Sequence, residues 1–308
     1  MAFIQGPSPK QMEIIMQDLG ECPGDIERGV MELRAMCAAS PQMPSPDSLD
    51  TKFLELFVRG CRMDMHRARA KLEAFCRSRS RHADLFEHRS LTEPPLNDVC
   101  RFLEIVTLPK LTDEGLRVTV FRLKPDYPDT SADVGAAVRS VLLMSDARMK
   151  DESAIAGDIF IWEVSPARGS LVPRVATAIG AVRRGMHLAH AAYPQRLKRV
   201  HIVSPPPFLA STLQLMRSCM NEKVRRRFLL HTKVEELQDH IPAYVLPAEW
   251  GGLEESFDTI ARKWRKRIDD LRDYLRNLNN MSKESIKSHS IDNEIYGTVG
   301  AFRKLDID

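Results

Sequence analysis

The chain has 308 residues, 43% of them hydrophobic and 28% charged, and a formal net charge of +3. That length can bury a large core and admits two or three domains, and the composition is that of a globular protein. So small a net charge gives no ground for a nucleic-acid partner, and no stretch reaches the roughly 20 apolar residues that span a bilayer.

The start, Met1 to Pro7, lacks the basic residues and apolar run of a secretion signal, which predicts a cytoplasmic protein. Six cysteines, none in a Cys-x-x-Cys pair, are expected as reduced thiols and not as zinc ligands.

Residues 9–39 carry helical apolar spacing, with Ile26, Val30, Leu33 and Met36 or Cys37 on one side, until Pro41, Pro44 and Pro46 interrupt it. Lys52 to Gly60 predicts a second helix holding Phe53, Leu54, Phe57 and Val58. A third, from about His66 to Arg79, aligns Ala68, Leu72, Phe75 and Cys76. Residues 1–90 are therefore expected to form an N-terminal helical bundle.

Pro94-Pro95 opens a second expected domain, residues 91–255. Leu116 to Leu123 sets Leu116, Val118 and Val120 against Arg117 and Thr119, a strand with unequal faces. Ser131 to Met149 is predicted helical, Ile159 to Trp162 a buried strand, Pro173 to Ala192 a long helix, and Lys198 to Val203 another strand. Strands and helices alternating at this spacing predict an α/β fold with a mainly parallel sheet covered by helices. Thr232-x-x-Glu235 has the form of a capping box that starts a further helix ending near Pro242. In the expected third unit, residues 256–308, the stripe Phe257, Ile260, Trp264, Ile268, Leu271, Leu275 and Leu278 predicts one amphipathic helix followed by a polar tail.

The most informative stretch is Tyr193 to Gly252. After the strand come three prolines, Pro205 to Pro207, and a segment with apolar side chains nearly all round: Phe208, Leu209, Leu213, Leu215, Met216, Cys219 and Met220. A helix with so little polar face is buried, covers a cavity, or meets a membrane. A basic cluster follows directly at Lys223, Arg225, Arg226 and Arg227, and Arg196, Lys198 and Arg199 precede the segment. Apolar burial beside Lys and Arg is what reversible contact with an anionic lipid surface needs.

No catalytic motif accompanies these features: Gly-x-Ser-x-Gly, the phosphate-binding loop, His-Glu-x-x-His and Gly-x-Gly-x-x-Gly are all missing from the sequence. His187 and His190 lie one turn apart without a third ligand, and Asp158 and Glu163 flank a strand without a substrate-defining neighbour. No enzyme activity, metal or cofactor is expected.

The order of strand, proline-led apolar helix, basic cluster and Leu246-Pro247-Ala248-Glu249-Trp250-Gly251-Gly252, together with Arg59-Gly60-x-x-x-Asp64, resembles the CRAL-TRIO lipid-binding family, near its alpha-tocopherol transfer protein-like members. The resemblance runs from about Leu49 to the C-terminus. It implies a cytoplasmic, transiently membrane-associated carrier of one hydrophobic small lipid, tocopherol- or retinoid-like, exchanged at phosphoinositide-containing membranes. A phosphoinositide-responsive adaptor without transferable cargo is the alternative. The family's ligand-binding positions fall here on Val138, Val141, Leu142, Ser145, Ile161, Leu188, Tyr193, Phe208, Leu215 and Cys219. Its phosphoinositide-binding positions fall on Arg59, Arg196, Lys223 and Arg227. Three positions depart from the family pattern: Asp158 stands where an apolar pocket residue is usual, Val138 where a bulky aromatic is usual, and Cys61 where the cleft usually has a basic residue, with Arg62 next along.

Overall fold

The computed structural model describes residues 3–40, 43–87, 89–127, 133–218 and 222–281. Its sheet has five strands, β1 (Leu103–Leu111), β2 (Leu116–Leu123), β3 (Gly157–Glu163), β4 (Leu197–Val203) and β5 (Phe228–His231). They lie side by side in chain order, β1 antiparallel to β2 and every other neighbouring pair parallel. Crossovers between parallel strands need long connections, and helices supply them. The fold is thus mixed α/β with a mainly parallel sheet, as the alternation of elements predicts.

The helices are α1 (Pro9–Leu19), α2 (Asp25–Ala38), α3 (Thr51–Gly60), α4 (Met65–Arg81), α5 (Ala83–Phe86), α6 (Leu96–Phe102) and α7 (Val134–Asp151). After these come α8 (Leu171–Thr177), α9 (Ile179–Ala192), α10 (Pro207–Ser218), α11 (Glu222–Arg227), α12 (Phe257–Asp270) and α13 (Arg272–Asn280). Three expected helices are each divided. Gly20 (φ 71°) and Gly24 (φ 83°) take left-handed conformations that separate α1 from α2. Ala178 separates α8 from α9, and Leu271 separates α12 from α13. Leu271 is itself buried, so the apolar stripe passes through the bend and carries α12 along β1 and α13 toward α4. The expected helix after Thr232 is only a 3-10 turn, Val234–Asp239, and Glu236, not Glu235, reaches back to the Thr232 hydroxyl and the Lys233 amide.

Two apolar cores result. One gathers α2 to α5 with Leu142 and Met149 of α7, Leu188 and Ala192 of α9, Tyr193 and Leu278. The other gathers the sheet with α6, α7 and α12, and it also takes in α1. Ile15 of α1 lies over Gly115, where an added Cβ would stand 2.5 Å from Ile15 Cγ1. The Gln11 amide donates to the carbonyls of Leu111 (3.2 Å) and Thr112 (3.0 Å).

Arg117 and Thr119 of β2, polar residues on an otherwise apolar strand, are buried. A bulge between Thr107 and Leu111 interrupts the β1–β2 ladder and leaves carbonyls to be satisfied by side chains. Trp264 Nε1 donates to Thr107 O at 2.8 Å, and Arg117 donates to the carbonyls of Leu108 (3.2 Å), Pro109 (2.6 Å) and Gln5 (2.7 Å). Arg117 also pairs with Glu152 at 2.9 Å, which accepts from Arg148, which in turn pairs with Asp158. The segment from Leu246 to Gly252 is a staple. Gly252 allows an approach to the Leu246 carbonyl that a Cβ, at 1.8 Å, would forbid, Trp250 packs edge-on to Phe257, and the Glu249 carboxylate accepts the Phe257 amide (3.0 and 3.1 Å) at the start of α12.

Candidate lipid pocket and basic cleft

Successive residues of a strand point to opposite faces. The parallel register therefore puts Phe160 and Trp162 of β3 on one face with Thr119 and Phe121 of β2, Val200 and Ile202 of β4, and Phe228 and Leu230 of β5. Phe121 stacks on Trp162 at 4.2 Å and meets Phe160 edge-on at 5.3 Å. On this face Phe160, Trp162, Val200, Phe228 and Leu230 are only half-buried, as are Val141 of α7 and Leu209 and Leu213 of α10, all packed against the same core. On the opposite face Val118, Val120, Ile159, Ile161 and His201 are buried, so that face is closed over β2 and β3, whereas Arg199 and Leu229 toward the β5 edge are half-buried. One side of the sheet is therefore finished and the other keeps a contiguous apolar surface with α10 beside it.

The expected ligand-binding residues do not gather in one place. Val141 belongs to the open face, and Phe208 is exposed on α10. Ile161 belongs to the closed face. Leu142, Leu188 and Tyr193 are buried in the helical core, where the Tyr193 hydroxyl donates to Asp146 Oδ1 at 2.8 Å and its ring packs edge-on to Phe75. Val138 packs against that core too, close enough to Gly185 that a Cβ there would meet it at 2.4 Å. The half-buried Ser145 hydroxyl donates to Val141 O at 3.0 Å. The side chain of Leu215, and all of Cys219, lie outside the described residues. The open-face aromatics, Phe160 and Trp162, sit inside a run that the sequence already marks as a strand. What the sequence lacks is a sign of which face is open.

The basic residues converge where α1, α3 and β4 meet. Arg59 pairs with Glu21 through Nε (3.1 Å) and Nη2 (3.2 Å) and with Glu55 through Nη1 (2.9 Å). Lys198 Nζ lies 2.9 Å and Arg196 Nη1 3.2 Å from the Asp18 carboxylate. Arg62 Nη2 donates to the Asp18 carbonyl at 2.8 Å and stands 3.8 Å from its carboxylate. Arg62 and Met63 take left-handed φ values of 56° and 57°, and this reversed turn after α3 aims Arg62 across the cleft while Cys61 is buried. Burial pushes the Cys61 thiol up to about 11, so it contributes no charge at neutral pH. Beside the cluster is a cleft of about 40 Å³ lined by Arg59, Gly60, Arg148, Glu152, Gly157 and Arg196. Arg227 Nη1 donates to Leu197 O at 3.3 Å, beside Arg196 in the chain, and the side chain of Lys223 lies outside the described residues.

Residues 102–252 match the CRAL/TRIO domain. The chain carries a CRAL/TRIO domain. Over 256 residues it is 28% identical to the alpha-tocopherol transfer protein-like protein of Mus musculus, covering 80% of this chain and 70% of that one. Clavesin-2 of Homo sapiens is 22% identical over 255 residues, covering 82% of this chain and 77% of its own. A solved structure titled "Crystal structure of Sfh5" aligns with a TM-score of 0.40 at 12% identity, over 84% of this chain and 93% of that one.

The CRAL/TRIO domain thus runs from the end of α6 through the whole sheet to the Gly252 staple. It supplies Arg196, Lys198 and Arg227 to the basic cleft, whereas Asp18 and Arg59 come from α1 and α3 before it, and Glu21 and Arg62 from the turns that follow those helices. Asp158, the departure from an apolar position, shares its strand face with Phe160 and Trp162 but is fully buried at the start of β3 in an ion pair with Arg148. Glu163, at the other end of β3, accepts from Ser165. His187 and His190 are exposed on α9. Among the described residues no helix is long and apolar enough to cross a membrane.

Proposed function

We propose that the protein is a carrier, not an enzyme, that holds one hydrophobic small lipid, tocopherol- or retinoid-like, against the open face of the sheet under α10 and exchanges it at phosphoinositide-containing membranes. The observation that carries this reading is the unequal finish of the two sheet faces. Aromatic side chains left half-exposed in the middle of a sheet, beside a helix with apolar residues on several sides, suit an apolar ligand whose burial is worth about 25 cal/mol per Å². Phe208 on α10 is exposed, as are Val172 on α8 and Ile179 and Met186 on α9, which adds apolar surface for membrane contact. With Lys223, Arg225, Arg226 and Arg227 just after α10, apolar insertion and attraction to anionic head groups act together. Arg59 and Arg196 extend the basic surface. The carrier acts from the cytoplasm and touches the membrane transiently.

Uptake of a panel of fluorescent tocopherol, retinoid and sterol analogues tests the pocket. Trp162→Ala is expected to weaken binding about tenfold or more, the loss of one large apolar contact. Ile161→Val, on the closed face, leaves binding within about twofold. If the two variants bind alike, the open face is not the pocket. Lys223→Glu with Arg227→Glu is expected to slow transfer between anionic vesicles without changing uptake; unchanged transfer removes the basic cluster from the exchange step.

A further inference from the structure

Asp18 stands at the wrong end of its own helix. It lies in the last turn of α1, ahead of the Gly20 cap, where unpaired carbonyls carry partial negative charge and a carboxylate is disfavoured. Three cations from distant parts of the chain hold it there: Lys198 at 2.9 Å, Arg196 at 3.2 Å and Arg62 at 3.8 Å. Burial alone would raise the Asp18 carboxyl, yet Lys198, Arg196 and Arg62 bring it below the usual carboxylate range. Three residues on, Glu21 binds Arg59 with both oxygens, a paired geometry that suits carboxylate and phosphate equally.

Arg59 is well matched by Glu21 and Glu55, but Arg196 and Lys198 are poorly matched by the single Asp18 carboxylate. Arg59, Arg62, Arg196 and Lys198 face Asp18 and Glu21 from the α1–α2 junction and Glu55 from α3. The Arg196 guanidinium is held less firmly protonated than usual by burial and then by repulsion from Arg62, and Lys198 by burial and then by Arg196 and Arg62, despite the Asp18 contact. An anion with more charge and more oxygens would satisfy the cluster better. The junction is built to yield: Gly20 and Gly24 have left-handed backbones on either side of Glu21, while Gln11 and Ile15 fix the other end of α1 on the sheet.

We propose that Asp18 and Glu21 are an internal competitor for the basic cleft. They occupy the places that phosphate oxygens of a phosphomonoester-bearing ligand, lipid headgroup or free, take on binding, and the last turn of α1 moves aside when that ligand enters. This rests on the phosphoinositide reading of the cleft. The competitor sets a threshold: a singly charged lipid surface does not displace two carboxylates, whereas a polyphosphorylated head group does.

The test compares the full chain with the isosteric, uncharged pair Asp18→Asn and Glu21→Gln. Binding is measured to phosphatidylcholine vesicles with and without phosphatidylinositol 4,5-bisphosphate, and separately to inositol 1,4,5-trisphosphate in the absence of membrane. The double variant is expected to bind on the order of tenfold tighter, the worth of one charge-assisted contact no longer opposed. A gain in both arms identifies the phosphate group itself as the ligand, and a gain on vesicles alone identifies the lipid. Adding Arg196→Gln and Lys198→Gln to the variant abolishes the gain. Wild-type binding that is equal to or tighter than the variant's overturns the competitor and leaves the cleft assignment standing. Binding by neither protein to either probe overturns both. In the wild-type chain, amide exchange at residues 16–24 is expected to quicken when ligand binds, and slower exchange there overturns the proposal even if the variant does not fold.

Discussion

Three histidines on the closed side of the sheet give the fold a calculable weakness to acid. His201 of β4 and His231 of β5 stack with ring centres 5.0 Å apart, and His201 Nδ1 lies 2.9 Å from His231 Nε2. That contact needs one proton and has no room for two. His240 closes a third side at 5.4 and 5.3 Å. The other charged groups facing the stack are Glu236, 3.5 Å from His231, together with Asp239 and Arg199. Burial, then repulsion from His231, His240 and Arg199, pushes His201 down to about 3, and His231 is lowered as well, by burial first and then by His240. In the unfolded chain each imidazole binds its proton near the ordinary value of about 6.5. The unfolded state therefore binds more protons between that value and the folded one, and stability falls as the pH drops, by about 1.4 kcal/mol per unit for each such group. From pH 6.5 to pH 5, His201 alone costs about 2 kcal/mol. Urea unfolding at pH 7 and pH 5 reads this directly. His201→Gln keeps a partner for His231 without a titrating ring and is expected to lose about 2 kcal/mol less than the wild type over that interval. Equal losses would refute the argument. The stack sits where the Ser204 amide donates to His231 O at 2.9 Å, at the closing end of the α10–α11 excursion, so limited proteolysis at pH 5 should cut first near residues 204–232.

Three substitutions at two sites probe how the N-terminal helices are joined to the CRAL/TRIO domain. At Gly60 an added Cβ would stand 2.1 Å from the Pro194 carbonyl oxygen, so Gly60→Ala is expected to force α3 away from the link before β4 and to cost about 1–3 kcal/mol in denaturant unfolding; an unchanged midpoint would show that the approach is not needed. Asp146 is fully buried and takes Arg79 at 2.6 Å, Arg89 at 2.5 Å and the Tyr193 hydroxyl at 2.8 Å. Asp146→Asn leaves two guanidinium groups without a charge partner and is expected to cost about 3–5 kcal/mol, against about 1 kcal/mol for Tyr193→Phe, which removes one neutral donor.

How far the fold was legible in the sequence follows from how each element is stabilised. β2, β3 and β4 are apolar runs between breakers, and their limits fall within two residues of the structure. β1 contains Pro109 and Lys110 and a bulge satisfied by Arg117 and Trp264, so its pairing depends on residues far away in the chain. β5 has only four residues and follows a basic helix directly. The helix breaks at Gly20 and Gly24 had a local signal in the glycines themselves. The division at Leu271 had none, because a stripe of leucines at helical spacing reads the same whether or not it bends toward a second core.

The sequence could not say which expected pocket residues share a face, because a parallel strand that is apolar on both faces carries no mark of which face is covered. Ile161 and Trp162 differ by one residue and so by the whole thickness of the sheet. The basic cleft shows the same limit in another form. Arg196, Lys198 and Arg199 are visible as a charged run, but the carboxylate that occupies it is Asp18, 180 residues from Lys198 and on a helix packed against the sheet by Ile15. β4 is the element that joins the two halves of the site. Its first half, with Lys198 and Arg199, is half-exposed and pairs with acidic residues, and its second half, His201 to Val203, is buried and leads through Ser204 (φ 49°) into the prolines and α10. Lys198, which holds Asp18, lies six residues before Ser204, so one strand links the cleft to the turn that leads into α10.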